Sequence, residues 1–213
     1  MIAAISLIRR RPDLSLEAFR RHWLHPHGTM TAELPATRRY VQHHPIDVAG
    51  TNAYARQLGI DGIPELWFDD IEARQNAYTS PRIAECNVDS ENFIGAVTRI
   101  VSEPRVVLAA PETDAVARVL LLATGAADPL WSQRTEDTVA ALPPGVIGYT
   151  AHRLIEQAPA PNSRIAELVL PVAGFAEVAF ADEAALLAAT SRLVPSAYAA
   201  TTAVFRVQDY RLV

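Results

Sequence analysis

The chain has 213 residues, enough for one large domain or two small ones at roughly 100–200 residues each. Half of it is hydrophobic (50%) and 20% is charged, a balance that excludes a disordered or fibrous chain. Nineteen basic residues, all of them arginine, against 24 acidic ones give a net charge of −5, so no nucleic-acid partner is expected, because phosphate binding needs a net basic face.

Met1 to Ile8 is rich in isoleucine and apolar on both alternating faces, which predicts a central strand covered on each side. This apolar stretch precedes Arg9, Arg10 and Arg11, the reverse of a secretory signal, so a cytoplasmic protein is expected. Ser15 can cap a helix whose Leu16, Phe19 and Trp23 share one face, and Pro26 should end or kink it. A second strand is predicted over Arg38 to His44, a third over Ile63 to Phe68 after Asp61-Gly62, then a short helix from Asp70 through about Tyr78. An irregular stretch follows, and Ala96 to Leu108 reads as a last strand. Cys86 is the single cysteine, so no intrachain disulfide is expected.

The remainder echoes this order. Glu65-Leu66-Trp67-Phe68-Asp69-Asp70 aligns with Glu177-Val178-Ala179-Phe180-Ala181-Asp182, Tyr40-Val41-Gln42-His43 with Tyr149-Thr150-Ala151-His152, and Ala96 to Ile100 with Ala203 to Val207. The matches keep their order and predict a tandem duplication with its seam around Ala110 to Asp114. Second-copy elements are placed at Val119–Ala123, Trp131–Ala141, Ile147–Ile155, Ile165–Phe180, Asp182–Leu193 and Thr202–Val213. The apolar stretch Ile165 to Ala181 carries Glu167 and Glu177 and is broken by Pro171 and Gly174, so no membrane span is expected. The expected fold class is α+β: two ferredoxin-like βαββαβ repeats whose antiparallel sheets pack into a dimeric-αβ-barrel-like arrangement within one chain.

Alternation along the third strand sends Leu66 and Phe68 towards the helices, and Glu65 and Trp67 into the space between the sheets. Glu177 occupies the matching place in the second copy. A carboxylate held there away from water is expected to have a raised pKa and to act as acid or base; pairing with Arg39, Arg99 or Arg206 is the structural alternative. Five of the six histidines, His22, His25, His27, His43 and His44, lie close together in sequence, yet their spacings around Pro26 do not match a metal motif, and no metal is expected. His27 stands apart, because it sits between Pro26 and Gly28 where the helix breaks and a side chain can be aimed at a pocket mouth.

The run Leu16-Glu17-Ala18-Phe19-Arg20-Arg21-His22-Trp23, then His27-Gly28, Leu34-Pro35, Arg38-Arg39-Tyr40-Val41-Gln42 and Asp61-Gly62-Ile63-Pro64-Glu65-Leu66-Trp67-Phe68-Asp69 resembles the EthD family of dimeric αβ-barrel proteins. Thr29 stands where the proline of that family's His-Gly-Pro triplet usually is, and Pro26 precedes the histidine instead. The resemblance covers the first copy. It implies an EthD-like unit carrying the functional motif over residues 1–112 and a degenerate second unit, without that histidine motif, over 113–213.

What the resemblance implies about activity is a cofactor-independent enzyme, of oxidoreductase, isomerase or lyase type, in a catabolic or polyketide-like pathway. Its partner would be a small hydrophobic, cyclic or aromatic molecule held in the barrel cavity. His27 would exchange a proton with it, Glu65 would orient that imidazole or act as the second acid or base, and Tyr40 would donate a hydrogen bond to a developing oxyanion. Trp23, Gln42, Trp67 and Glu177 would contribute to ligand binding. The alternative is a non-catalytic small-molecule-binding or stress-response protein with the same cavity. Haem-dependent oxygenation, with His43, His44 or His152 as axial ligand, ranks last. A tandem chain can close its barrel as a monomer, or dimerise further.

Overall fold

The computed structural model describes residues 1–111, 117–126, 130–142, 144–157 and 163–213. Strand β1 (Ile2–Arg10) is covered on both sides: Ala3, Ile5 and Leu7 face one way, and Ile2, Ala4 and Ile8 the other. Helix α1 (Leu16–His22) starts where expected, with Ser15 Oγ accepting the Ala18 amide at 3.1 Å. Phe19 and Trp23 pack on Phe93, Ile8 and Val97. At His25 the backbone leaves the helical region (φ −144°, ψ 123°) for the extended conformation favoured before a proline, and a wide turn, Trp23–Gly28, leads into α2 (Thr29–Ala32).

Strand β2 (Arg39–Ile46), helix α3 (Ala53–Leu58), strand β3 (Ile63–Phe68) and helix α4 (Ile71–Tyr78) follow. Next come α5 (Pro81–Ser90) and β4 (Ile94–Leu108). Helix α5 lies where the sequence was read as irregular, and α3 in a stretch between two expected strands to which no element was assigned. Both are short and locally signalled: Asn52 caps α3, and Ser80 caps α5 with Pro81 at its first position. Further along the chain lie β5 (Ala117–Thr124), α6 (Trp131–Ala140), β6 (Val146–Gln157), β7 (Ala166–Glu167), β8 (Val172–Phe180), α7 (Glu183–Ala189) and β9 (Thr202–Arg211). The single strand expected over Ile165–Phe180 is thus two, with Pro171 between them. The expected seam, and with it the division between residues 112 and 113, falls largely outside the described residues.

The expected fold class requires correction. In place of two ferredoxin-like α+β repeats with their sheets packed together, one sheet of eight antiparallel strands closes on itself in the order β1-β3-β2-β9-β5-β8-β6-β4, with β4 returning to β1. Strand β7 is appended parallel to β4. The pairings β2–β9 and β4–β6 make the sheet continuous. The physical reason is the sheet edge: a strand left unpaired exposes a row of backbone donors and acceptors, and closure removes the edge altogether. Among the described residues no helix is long and apolar enough to cross a membrane.

Closure divides every strand into an inner and an outer face. Ile5, Leu7, Ile63, Trp67, Ile100, Leu120, Leu122, Phe175 and Phe205 meet inside the barrel. Tyr40, Leu66 and Phe68 lie outside, with Ile71, Tyr78 and Ile83 of α4 and α5 against them. Trp23 is fully buried on the outer side, and its ring leaves no room beside Gly62, where an added Cβ would sit 2.7 Å from Cζ3. Gly62→Ala is therefore expected to destabilise the fold by about 1–3 kcal/mol through overpacking against a rigid ring. A thermal melt should show this as a fall of several degrees, and an unchanged melting temperature would contradict the packing.

Candidate functional site

The barrel interior holds an ionic cluster. Arg39 pairs in register with Trp67, Val41 with Glu65 and His43 with Ile63, so Arg39, Val41, His43, Glu65 and Trp67 share the inner face. Trp67 Nε1 donates to Glu65 Oε1 at 2.6 Å, and Arg39 Nη1 to Glu65 Oε2 at 3.2 Å. From β9, Asp209 Oδ1 lies 2.7 Å from His43 Nδ1, and His43 Nε2 lies 3.4 Å from Glu65 Oε2. His152 on β6 approaches Ser102 Oγ of β4 at 2.9 Å and Glu177 Oε1 of β8 at 3.4 Å. Arg118 of β5 reaches Asp209 at 2.9 Å.

Burial alone would lower the pKa of His43, but Asp209, Glu65 and Glu177 outweigh it and raise the value to about 10. Burial alone would likewise raise Glu65, yet His43, Arg39 and His152 hold it below the ordinary carboxylate range. The raised pKa expected for Glu65 is thus reversed, because desolvation is overridden by three basic neighbours.

His43, Glu65 and Glu177 present ligand atoms within 4.8 Å of one another, close enough to surround a cation. Their charges are already met. With His43 protonated, the three carboxylates of Glu65, Glu177 and Asp209 face two guanidinium groups and one imidazolium, which makes the cluster an ion-pair network.

A second constellation lies on the other side of the same strands. Gln42 Nε2 donates to the Trp23 carbonyl and to the Tyr40 hydroxyl oxygen, both at 2.8 Å. A carbonyl only accepts, so the amide nitrogen is fixed there and Gln42 Oε1 is left to face His44 Nε2 at 3.1 Å. His44 therefore carries its proton on Nε2 and a lone pair on Nδ1. Its ring is clamped between Trp23, stacked at 4.4 Å, and Tyr210 at 4.6 Å. Burial, reinforced by the positive charges of Arg20 and His43 and opposed by Asp209, lowers its pKa to about 3. A pocket of about 480 Å³ opens beside it, lined by Leu16, Glu17, Arg20, Arg21, Leu24, His44, Gln208 and Tyr210.

The structure separates the expected catalytic trio. Glu65, with Trp67 and Glu177, is inside the barrel; Tyr40, with Trp23 and Gln42, is outside around His44. His27 lies further along the outer side, its Nδ1 2.9 Å from Asp89 Oδ2, while His22 Nε2 meets the other oxygen at 3.0 Å. Hydrogen bonding from His27 holds the Asp89 carboxyl below its usual range. Tyr40 is fully enclosed, and burial pushes its phenol pKa up. A Cβ at Gly28 would come 2.8 Å from Gln42 Nε2 and 3.1 Å from the Trp23 carbonyl oxygen, so the glycine after His27 lets Gln42 approach the turn.

His44 was named from the sequence only within the histidine cluster and as an axial haem ligand, and Arg20 and Tyr210 were not singled out. The signal available for the first was the His43-His44 pair itself, since adjacent residues of a strand face opposite sides.

The folded-state pKa of His43 is raised, so its stabilising contribution is complete below the unfolded value of about 6.5 and is lost as pH rises towards about 10. Wild-type stability in urea is expected to fall between about pH 6.5 and 9.5 by on the order of a few kcal/mol, and His43→Gln should flatten that slope. Equal slopes in the two proteins would remove the protonated His43.

The sequence model of the EthD domain matches residues 11–96, a span that includes α1, the Trp23–Gly28 turn, β2 and β3. No curated protein sequence matches the chain. Among solved structures, an anthrone oxidase-like protein has 8% identity and a TM-score of 0.60, over 99% of this chain and 93% of its own. A monooxygenase-like protein from Lactobacillus acidophilus NCFM has 11% identity and a TM-score of 0.53, over 100% and 94%. Another from Fusobacterium nucleatum subsp. nucleatum has 7% identity and a TM-score of 0.56, over 97% and 92%. At these identities the likeness is one of fold. Over residues 11–96 the chain is similar to the EthD domain, and its barrel fold is similar to that of these structures.

Proposed function

We propose that the protein is a cofactor-independent enzyme that moves a proton on a small hydrophobic, cyclic or aromatic metabolite held in the pocket between α1 and strands β2 and β9. One observation carries this reading: the lone pair of His44 Nδ1, on a ring held between Trp23 and Tyr210, beside a pocket of about 480 Å³. That volume lies in the range of roughly 300–1,000 Å³ typical of small-molecule sites. Leu16, Leu24 and Tyr210 supply apolar wall, and the stacked Trp23 ring with the tilted Tyr210 ring holds the His44 imidazole in place.

His44 takes the proton at Nδ1, and Gln42 keeps the opposite nitrogen protonated throughout. In the free protein the imidazole is a weak base; an anion developing on the bound molecule strengthens it by pairing with the imidazolium as the proton moves. The EthD domain and the oxidase-like and monooxygenase-like fold neighbours support an oxidative fate for the deprotonated molecule. The low basicity of His44 also favours a second reading, a binding protein in which Nδ1 only accepts a hydrogen bond.

Anthrone, an acidic cyclic ketone, serves as the probe, with exchange of its acidic C–H hydrogens followed by NMR in D2O. The wild type is expected to accelerate exchange, and His44→Asn, which retains an N–H for Gln42, to lose about 10²-fold or more. The charged groups around His44 are Arg20 on α1, His43 on β2 and Asp209 on β9, with Glu17 and Arg21 on the pocket wall. Because the pKa of His44 is lowered to about 3, the rate should stay level on its basic limb from about pH 5 to 8. Binding of anthrone with no acceleration by the wild type would leave the binding-protein reading.

A further inference from the structure

On the outside of the ionic cluster the hydrogen bonds are short, whereas the contacts across its middle are long. Trp67 Nε1 lies 2.6 Å from Glu65 Oε1, Asp209 Oδ1 2.7 Å from His43 Nδ1, and Ser102 Oγ 2.9 Å from His152 Nδ1. Towards the centre, His43 Nε2 stands 3.4 Å from Glu65 Oε2, and His152 Nε2 stands 3.4 Å from Glu177 Oε1 and 3.7 Å from Glu65 Oε1. Charge-assisted hydrogen bonds are normally about 2.7–2.9 Å long. Glu177 shows the difference most clearly. It is buried, yet among the described residues no hydrogen-bond or ion-pair partner of its carboxylate comes nearer than 3.4 Å, and Arg39 and Arg118 both stand off at 3.9 Å. The charges of the cluster balance in number, but its contacts do not close at the centre.

Both histidines are turned towards that centre. The Asp209 carboxylate only accepts, so His43 Nδ1 carries hydrogen and Nε2 is the nitrogen presented to Glu65. His152 has its Nδ1 engaged by Ser102 and presents Nε2 to Glu177. A hydrogen bond to the far ring nitrogen is the arrangement that orients metal-ligating histidines. The spacing agrees, because ligand atoms about 2.0–2.2 Å from a tetrahedral zinc ion stand roughly 3.3–3.6 Å apart.

We propose that the barrel interior is a structural site for one divalent transition-metal ion of the Zn2+ class, with His43 Nε2, Glu65 and Glu177 as ligands and His152 Nε2 as the fourth. The ligand atoms of the first three lie within 4.8 Å of one another. Imidazole nitrogens favour such an ion over Mg2+ or Ca2+, which take oxygen ligands. As the metal–nitrogen bond forms at His43, its Nε2 proton leaves to solvent, so the ion-pair network described above is the metal-free state of the same site. All four ligands are buried, and the ion therefore enters while the barrel folds or opens. Bound there, it ties β2, β3, β6 and β8 together at one point on the inner face of the wall and takes no part in the chemistry of the outer pocket.

The test uses Co2+, whose visible absorption reports its coordination number. Wild-type protein is produced in minimal medium with Co2+ in place of Zn2+, so that the ion is present as the chain folds, and is compared with protein made without either metal. The expected result is about one equivalent of Co2+ per purified chain, with the intense visible bands of a four-coordinate ion. The colour should survive a chelator while the protein is folded and be lost in urea, and the melting temperature should lie several degrees above that of the metal-free protein. Glu177→Gln, which keeps the shape and removes the carboxylate, should lose the bands. Purified wild type without Co2+ would overturn the site. Weak bands of a six-coordinate ion, or Co2+ stripped at once from the folded protein, would place the metal on exposed histidines and overturn it equally. So would bands unchanged in Glu177→Gln, and the chelator and urea measurements on the wild type decide the matter if that variant does not fold.

Discussion

The structure depends on a buried ion-pair network that ties the barrel wall to itself. Arg39 and His43 from β2, Glu65 from β3, Ser102 from β4, Arg118 from β5, His152 from β6, Glu177 from β8 and Asp209 from β9 bring seven of the eight barrel strands into one cluster of hydrogen bonds and ion pairs. Each charge is costly to remove from water, and each is tolerable only because its partners arrive from other strands in the right register. A slip of one residue would turn Arg39 and His43 outward and His44 inward, and would strip Glu65 and Asp209 of the partners they have on β2. The packed residues on the inner face supply bulk stabilisation, whereas the cluster makes one register far better than its neighbours.

The same alternation gives the wall two chemistries. His43 and His44 are consecutive, yet one is held protonated by carboxylates and the other neutral by burial and positive neighbours. The charge on the inner ring contributes to the state of the outer one, so the barrel interior acts on the pocket without touching anything bound there. Glu65, expected to have a raised pKa, is instead held ionised inside the barrel by His43, Arg39 and His152, and the His44 imidazole beside the outer pocket lies across the sheet from it.

Much of the local architecture was legible in the sequence. The caps at Ser15 and Asp70, the break before Pro26 and the inward placement of Glu65 and Trp67 follow from spacing and side-chain chemistry alone. Closure of the barrel was not legible, because it rests on pairings such as His43 with Asp209, separated by 166 positions, which no local pattern encodes. For the same reason the ionisation of Glu65 was misjudged: burial is visible in a strand pattern, but the three basic groups that reverse its effect come from β2 and β6. His27 was singled out for its place beside Gly28, and that place matters for a reason that only the tertiary structure shows.

The turn from Trp23 to Gly28 links that histidine to the pocket through the backbone. His27 and His22 grip Asp89 of α5, which fixes the turn against the outer layer. The fixed turn presents the Trp23 carbonyl, and the missing side chain at Gly28 lets Gln42 reach it. Gln42, oriented in this way, can only accept from His44, and that sets the tautomer which leaves Nδ1 with its lone pair. The His-Gly motif therefore settles the direction of one amide, and that amide settles which nitrogen of the His44 imidazole carries hydrogen, two hydrogen bonds away from the turn.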